Sequence, residues 1–142
     1  MKRLAFFVSA VMVLLVIFVA MKNNTRINNN DWAFIIHDEY QVWHINSETI
    51  VFGRMQSPNA MTHIVESYVS AFKYNSRYFV AERRPEGKHS EKTEYYIVRL
   101  EDGVIYGPIE LDDLEKELRN GEMGELCDWV YTVPRPEGAV FR

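Results

Sequence analysis

The stretch Leu4–Met21 (LAFFVSAVMVLLVIFVAM) constrains this chain most: eighteen residues without a charge. At ~1.5 Å of rise per residue, a helix of that length spans roughly 27 Å, close to the hydrocarbon thickness of a bilayer. Twelve of the eighteen are Leu, Ile, Phe or Val. On an insertion scale those twelve favour the bilayer by about 4–7 kcal/mol. Ser9 is the one polar side chain of the run, and it can bond back to its own helix. A helix apolar on every face has no stable place in water. Residues 1–21 are therefore expected to form a signal-anchor, a single transmembrane helix.

A cleaved signal peptide is the competing reading, and it would make the remainder a secreted domain. Cleavage favours small residues at the last and third-last positions of the leader. Ala20 meets that need, but Phe18 stands where the other small residue belongs. A lipid-bearing Cys would have to follow the apolar run, and the chain's one Cys is Cys127. Lys2 and Arg3 before the run nearly balance Lys22 and Arg26 after it. A short basic N-terminus before the first apolar run favours N-inside, so residues 32–142 are expected outside the cytoplasm.

Residues 22–31 (KNNTRINNND) carry no apolar periodicity and read as a polar linker. Residues 32–142 then form one extracytoplasmic domain, large enough for a real core. Removing Asp31 from the 20 acidic residues, and Lys2, Arg3, Lys22 and Arg26 from the 16 basic ones, leaves 19 against 12. A net charge of −7 argues against nucleic acid or anionic lipid as the domain's partner. A lone Cys excludes an internal disulfide, which fits a bacterial envelope better than a eukaryotic secretory pathway.

From Trp32 the chain turns to short aromatic and β-branched runs broken by turn residues. Strands are expected at 32–36, 40–45, 49–54, 78–84 and 94–100, with Val104–Tyr106 continuing the meander until Gly107-Pro108 ends it. Residues 62–73 are ambiguous: Ile64, Tyr68, Ala71 and Phe72 make a helical stripe, while Val65 and Val69 favour a strand. Strand is preferred. A helix is expected at about 111–120, with Leu111, Leu114 and Leu118 in one stripe, acids in its first turns and Gly121 as its left-handed cap. Leu126–Val133 reads as a last strand before a Pro134 and Pro136 tail. The expected fold is α+β: a transmembrane helix, then a small antiparallel β-meander sheet packed against one C-terminal helix. Trp32, Trp43, Tyr78, Phe79, Tyr95, Tyr96 and Trp129 are expected to fill much of its core.

The pieces Tyr40–Ser47, Val69–Val80, Tyr95–Val98 and Val104–Ile109 together resemble a family of small exported or membrane-anchored bacterial proteins, mostly Gram-positive, described as a domain of unknown function. The likeness runs from Tyr40 to Leu114. It implies a compact β-rich domain in the cell envelope and carries no catalytic residues over. Many members begin with a lipoprotein signal, from which this chain departs.

Candidate sites are sparse. His37, Asp38, Glu39 and His44 are metal-ligand types, but they are local in sequence and no second cluster completes a shell; an exposed hairpin explains them. His63 and Glu66 would share a face only on a helix. Cys127 lies among Leu126, Asp128 and Trp129, where an acid discourages the thiolate and apolar neighbours suggest packing. Glu110, Asp112, Asp113, Glu115 and Glu117 read as a charged helix start. Arg83, Arg84, Lys88 and Lys92 form a basic hairpin that is either a contact site or protection of a strand edge. No Gly-x-Ser-x-Gly, Ser-x-x-Lys or phosphate-binding glycine motif occurs.

No catalytic, cofactor-binding or metal-binding residue is assigned. The expected function is that of a non-catalytic, single-pass membrane protein, held through residues 4–21, whose outer domain binds another envelope protein. An immunity-type protein neutralising a basic toxin is the alternative suited to the acidic domain, and a hydrolase or metal enzyme lacks motif support.

Overall fold

The computed structural model describes residues 31–37 and 39–142. The expected anchor, Leu4–Met21, lies outside the described residues, and no described helix is long and apolar enough to cross a membrane. The described chain builds ten strands and one helix: β1 (Trp32–His37), β2 (Tyr40–Asn46), β3 (Thr49–Ser57), β4 (Ala60–Val65), β5 (Val69–Tyr74), β6 (Tyr78–Arg83), β7 (Glu94–Arg99), β8 (Ile105–Ile109), α1 (Leu111–Arg119), β9 (Val130–Tyr131) and β10 (Val140–Phe141).

The strands make two antiparallel five-stranded sheets rather than the single expected meander. The first has the order β10-β1-β2-β3-β4 and the second β8-β7-β6-β5-β9. The change of sheet falls in residues 62–73. Strand was the right preference there, but the segment is two strands in two sheets, β4 and β5, joined through Glu66-Ser67-Tyr68. A bulge explains the helix-like stripe. Val69 pairs with Arg83 and Ala71 with Glu82, so Ser70 is an extra residue. Tyr68, Val69 and Phe72 can then all reach the same core, a spacing that regular alternation forbids.

Between the sheets, Trp32, Phe34, Tyr40, Val42, Ile50 and Phe52 meet Val69, Phe72, Phe79, Ala81 and Val98 in the main core. At ~1.5–3 kcal/mol for each large apolar side chain removed from water, this layer is the principal stabilising term of the domain. The outer faces are covered too. On the first sheet Ala33, Trp43 and Val51 pack together, with the Arg142 guanidinium over the Trp43 ring. On the second, Val80, Tyr95 and Ile97 pack under Leu114 of α1 and Met123. The expected aromatic core is therefore spread over three layers: Trp32 and Phe79 lie in the middle one, Trp43 in one outer layer, and Tyr95 in the other.

The helix uses less of its stripe than expected. Leu114 is buried and Leu118 partly so, while Leu111 is 47% exposed. Leu111 is the first helical residue, at the margin of the covered face. Gly121 follows the Asn120 cap at φ +74°, as expected of a left-handed terminator.

Gly107 and Pro108 do not end the meander; β8 runs through them to Ile109. Gly107 has φ +142°, and a Cβ there would lie 2.6 Å from Tyr95 O. Glycine lets the backbone approach β7 that closely. The segment 126–133 follows β5 closely but is regular only at Val130–Tyr131. The tail beyond Pro136 turns back as β10 and pairs with β1, Trp32 opposite Phe141 and Ala33 opposite Val140.

Candidate functional site

Strand alternation divides the basic hairpin between two faces. Arg83 opposes Glu94, on the main-core side of the second sheet. Its Nε donates to Ser67 O at 3.0 Å, and its Nη1 reaches Tyr96 Oη at 3.0 Å and Glu94 Oε2 at 3.3 Å. Lys92 Nζ completes the arrangement on Glu94 Oε1 at 2.8 Å. Two of the four cations thus serve a buried carboxylate and are structural.

The other two face a cleft. Arg84 and Lys88 border a hollow of about 290 Å³ at a corner of the outer face of the second sheet. Helix α1 covers the opposite part of that face, over β7. Ser70 and Glu82 of β5 and β6 lie at the cleft, with Tyr68 and Thr132. Tyr131 and Val133 form an apolar rim, each 62% exposed, and His89 adds an imidazole from the loop.

The bulge at Ser70 frees its side chain from the regular ladder. Ser70 Oγ donates to Glu82 Oε1 at 2.7 Å. A serine of a catalytic triad donates to an imidazole held by the acid; here the carboxylate takes the hydroxyl directly. Thr132 is buried, and its Oγ1 donates at 2.9 Å to Val69 O and at 3.0 Å to Ser70 O. That locks the 130–133 segment onto the bulge.

Two links hold the cationic loop. Arg84 Nη1 donates to Lys88 O at 2.7 Å, bending the chain around the guanidinium. Lys88 Nζ pairs with Glu48 Oε1 at 2.6 Å, joining the loop to the β2–β3 turn of the other sheet. The Lys88 hydrogen bond and charge hold the exposed Glu48 carboxyl below its ordinary value. Burial raises the Tyr68 phenol above its ordinary 10.0, against the opposing charges of Lys88 and Arg84 and a hydrogen bond with Thr132. Tyr68 therefore stays a neutral hydroxyl at the cleft.

The other sequence candidates stay dispersed. His44 lies opposite Trp32, not His37, and its ring stacks on Trp32 at 5.5 Å. Glu39 pairs with Arg54 at 2.5 Å, while Asp38 lies outside the described residues. His63 is exposed on β4, and Glu66 is exposed beyond the end of that strand. Cys127 is half-buried, its Sγ accepting from Tyr74 N at 3.3 Å. Glu110, Asp112, Asp113 and Glu115 are exposed and Glu117 is half-buried, with Glu115 reaching Arg119 at 3.4 Å. Among the described residues no three His, Cys, Asp or Glu side chains are grouped to hold a metal ion.

The fold and cleft define a two-sheet antiparallel β domain with one short surface helix and a small mixed-polarity hollow beside an edge strand. The chain belongs to the family described as protein of unknown function (DUF3997), whose model matches residues 37–125. No curated protein and no solved structure matches it.

Proposed function

We propose that this protein is a non-catalytic binding module, anchored by Leu4–Met21 with its β domain outside the cytoplasm, that docks a protein partner on the β8 edge. The observation that carries the reading is a run of exposed apolar side chains at that edge. Val104, Ile105 and Tyr106 are 52%, 45% and 51% exposed, and Leu111 just beyond is 47% exposed. β8 is the last strand of its sheet. Large apolar residues on an open edge are an aggregation hazard unless something covers them. An occupant of the edge removes that hazard and gains apolar burial as its binding energy. The apolar run supplies the tether on independent physical grounds.

The test is site-specific photo-crosslinking of the full chain in membranes of cells that make it. A photoreactive residue at Tyr106 is expected to give a discrete protein adduct, and one at the exposed, acidic Glu101 none. Identical patterns from the two positions would end the proposal. Accessibility to an impermeant protease tests the topology: degradation of residues 32–142 in intact cells is expected, and protection would place the domain inside.

A further inference from the structure

We propose that the cleft between β9 and the 84–92 loop captures the carboxylate end of an extended peptide. β9 and β8 are opposite edges of the second sheet, so this site is separate from the proposed docking edge and stands without it.

Charge is the first reason. The domain is strongly acidic, with 19 acidic against 12 basic residues after Asp31, yet Arg84 and Lys88 converge on this hollow. Arg84 has one nitrogen, Nη1, on Lys88 O, which orients the guanidinium and leaves the rest of its planar fork for a carboxylate. Lys88 is held by Glu48 in a pair whose side chains are 33% and 58% exposed. A pair that open contributes little, so Lys88 can shift to an incoming anion at small cost.

The same balance selects the kind of anion. Once Lys88 turns from Glu48, two cations, Arg84 and Lys88, stand against one lining carboxylate, Glu82, leaving one positive charge. A doubly charged phosphate would be undercompensated here. A single carboxylate needs one guanidinium fork and one ammonium, which the cleft holds.

Shape and polarity identify what carries the carboxylate. At about 290 Å³ the hollow is at the small end of ligand sites, which run ~300–1,000 Å³. That suits a terminal residue rather than a whole cofactor. Tyr131 and Val133 offer apolar surface at the rim, each 62% exposed, to a last side chain. β9 pairs with β5 on one side and with no described strand on the other. Its open backbone can therefore take an extended peptide leading into the hollow.

The test uses the full chain in detergent, titrated with acetyl-alanyl-alanyl-leucine as the free acid, with its C-terminal amide, and with inorganic phosphate, followed by amide NMR shifts. The free acid is expected to saturate, shifting Ser70, Arg84 and Thr132, with affinity at least about tenfold above that of the amide. Arg84→Gln is expected to remove that preference. Because Arg84 also shapes the loop, Tyr131→Glu is the second variant: an exposed rim residue, packed on little, whose new charge repels a carboxylate. It should weaken the free acid several-fold more than the amide, since both lose the apolar rim and only the acid meets the new charge. Equal affinity for acid and amide, tighter binding of phosphate, or shifts centred on β8 would each overturn the inference.

Discussion

Phe52 and Phe79 stack across the two sheets with ring centroids 3.6 Å apart and planes 8° from parallel. Neither ring is exposed to solvent. Phe52 also stacks on Tyr40, and Phe79 on Phe72, so one continuous aromatic column joins β2 and β3 to β5 and β6. The column fixes the spacing of the layers, which in turn positions the β2–β3 turn close enough for Glu48 to reach Lys88.

Phe79→Ala should therefore be the most damaging truncation in the core. Losing the ring and leaving a cavity costs ~3–5 kcal/mol when the surroundings relax only partly. Denaturant unfolding of the full chain in detergent, followed by tryptophan fluorescence, measures it. A loss below about 1 kcal/mol would show that the column does not hold the sheets together.

Gly53→Ala tests the contact between β3 and β4. A Cβ at that position would collide with Thr62 O and with the Met61 side chain. Met61 can swing aside, but the carbonyl belongs to the paired strand and moves only with it. The expected cost is about 1–3 kcal/mol. Adding Met61→Ala should not restore the lost stability, because the backbone collision remains.

Asp102→Asn tests a charge effect with a defined pH window. The Arg99 side-chain hydrogen bond, then the bond from Val104 N, hold the Asp102 carboxyl below its ordinary 3.8. The folded chain thus favours the ionised form more than the unfolded chain does. The stability this supplies is present above the ordinary carboxylate value and disappears as pH falls through the lower folded one. Asp102→Asn should lower the unfolding midpoint at pH 7, and the gap from the native chain should close in strong acid. The pair is open to solvent, so the gap at pH 7 is small. A gap that widens on acidification would refute the assignment.

Cys127 offers a single reporter for burial and topology. It is half-buried, and it is tied to Tyr74 twice, through Tyr74 N to its Sγ at 3.3 Å and through its own N to Tyr74 O at 3.0 Å. An impermeant maleimide should react slowly with the folded chain and completely after denaturation. Rapid labelling of the folded chain would show the 126–129 segment detached from β5.

Much of the secondary structure was legible because it is local. The strands expected at 40–45, 78–84 and 94–100 appear as Tyr40–Asn46, Tyr78–Arg83 and Glu94–Arg99, and the helix as Leu111–Arg119. Each rests on alternation, an amphipathic stripe or turn chemistry that neighbours in sequence carry among themselves. The bulge at Ser70 was not legible, since an extra residue in one strand imitates helical spacing. Nor was Leu111's exposure, since a stripe does not say where its cover ends. Half of the cleft was in view as the basic hairpin. The other half, Tyr131, Thr132 and Val133, lies more than forty residues downstream, and only β9's pairing with β5 brings it there.

By itself the sequence determined an apolar run long enough for a bilayer, an acidic β-rich domain, most strand positions and a single surface helix. Those follow from solvation and from periodicities two to four residues long. Only the tertiary structure decided that the strands divide into two sheets, that Arg83 serves Glu94 while its neighbour Arg84 faces a cleft, and that the tail returns to β1. Those depend on pairings between residues far apart in the chain. Their register is chosen by whole faces burying together, and no short window of sequence contains both partners.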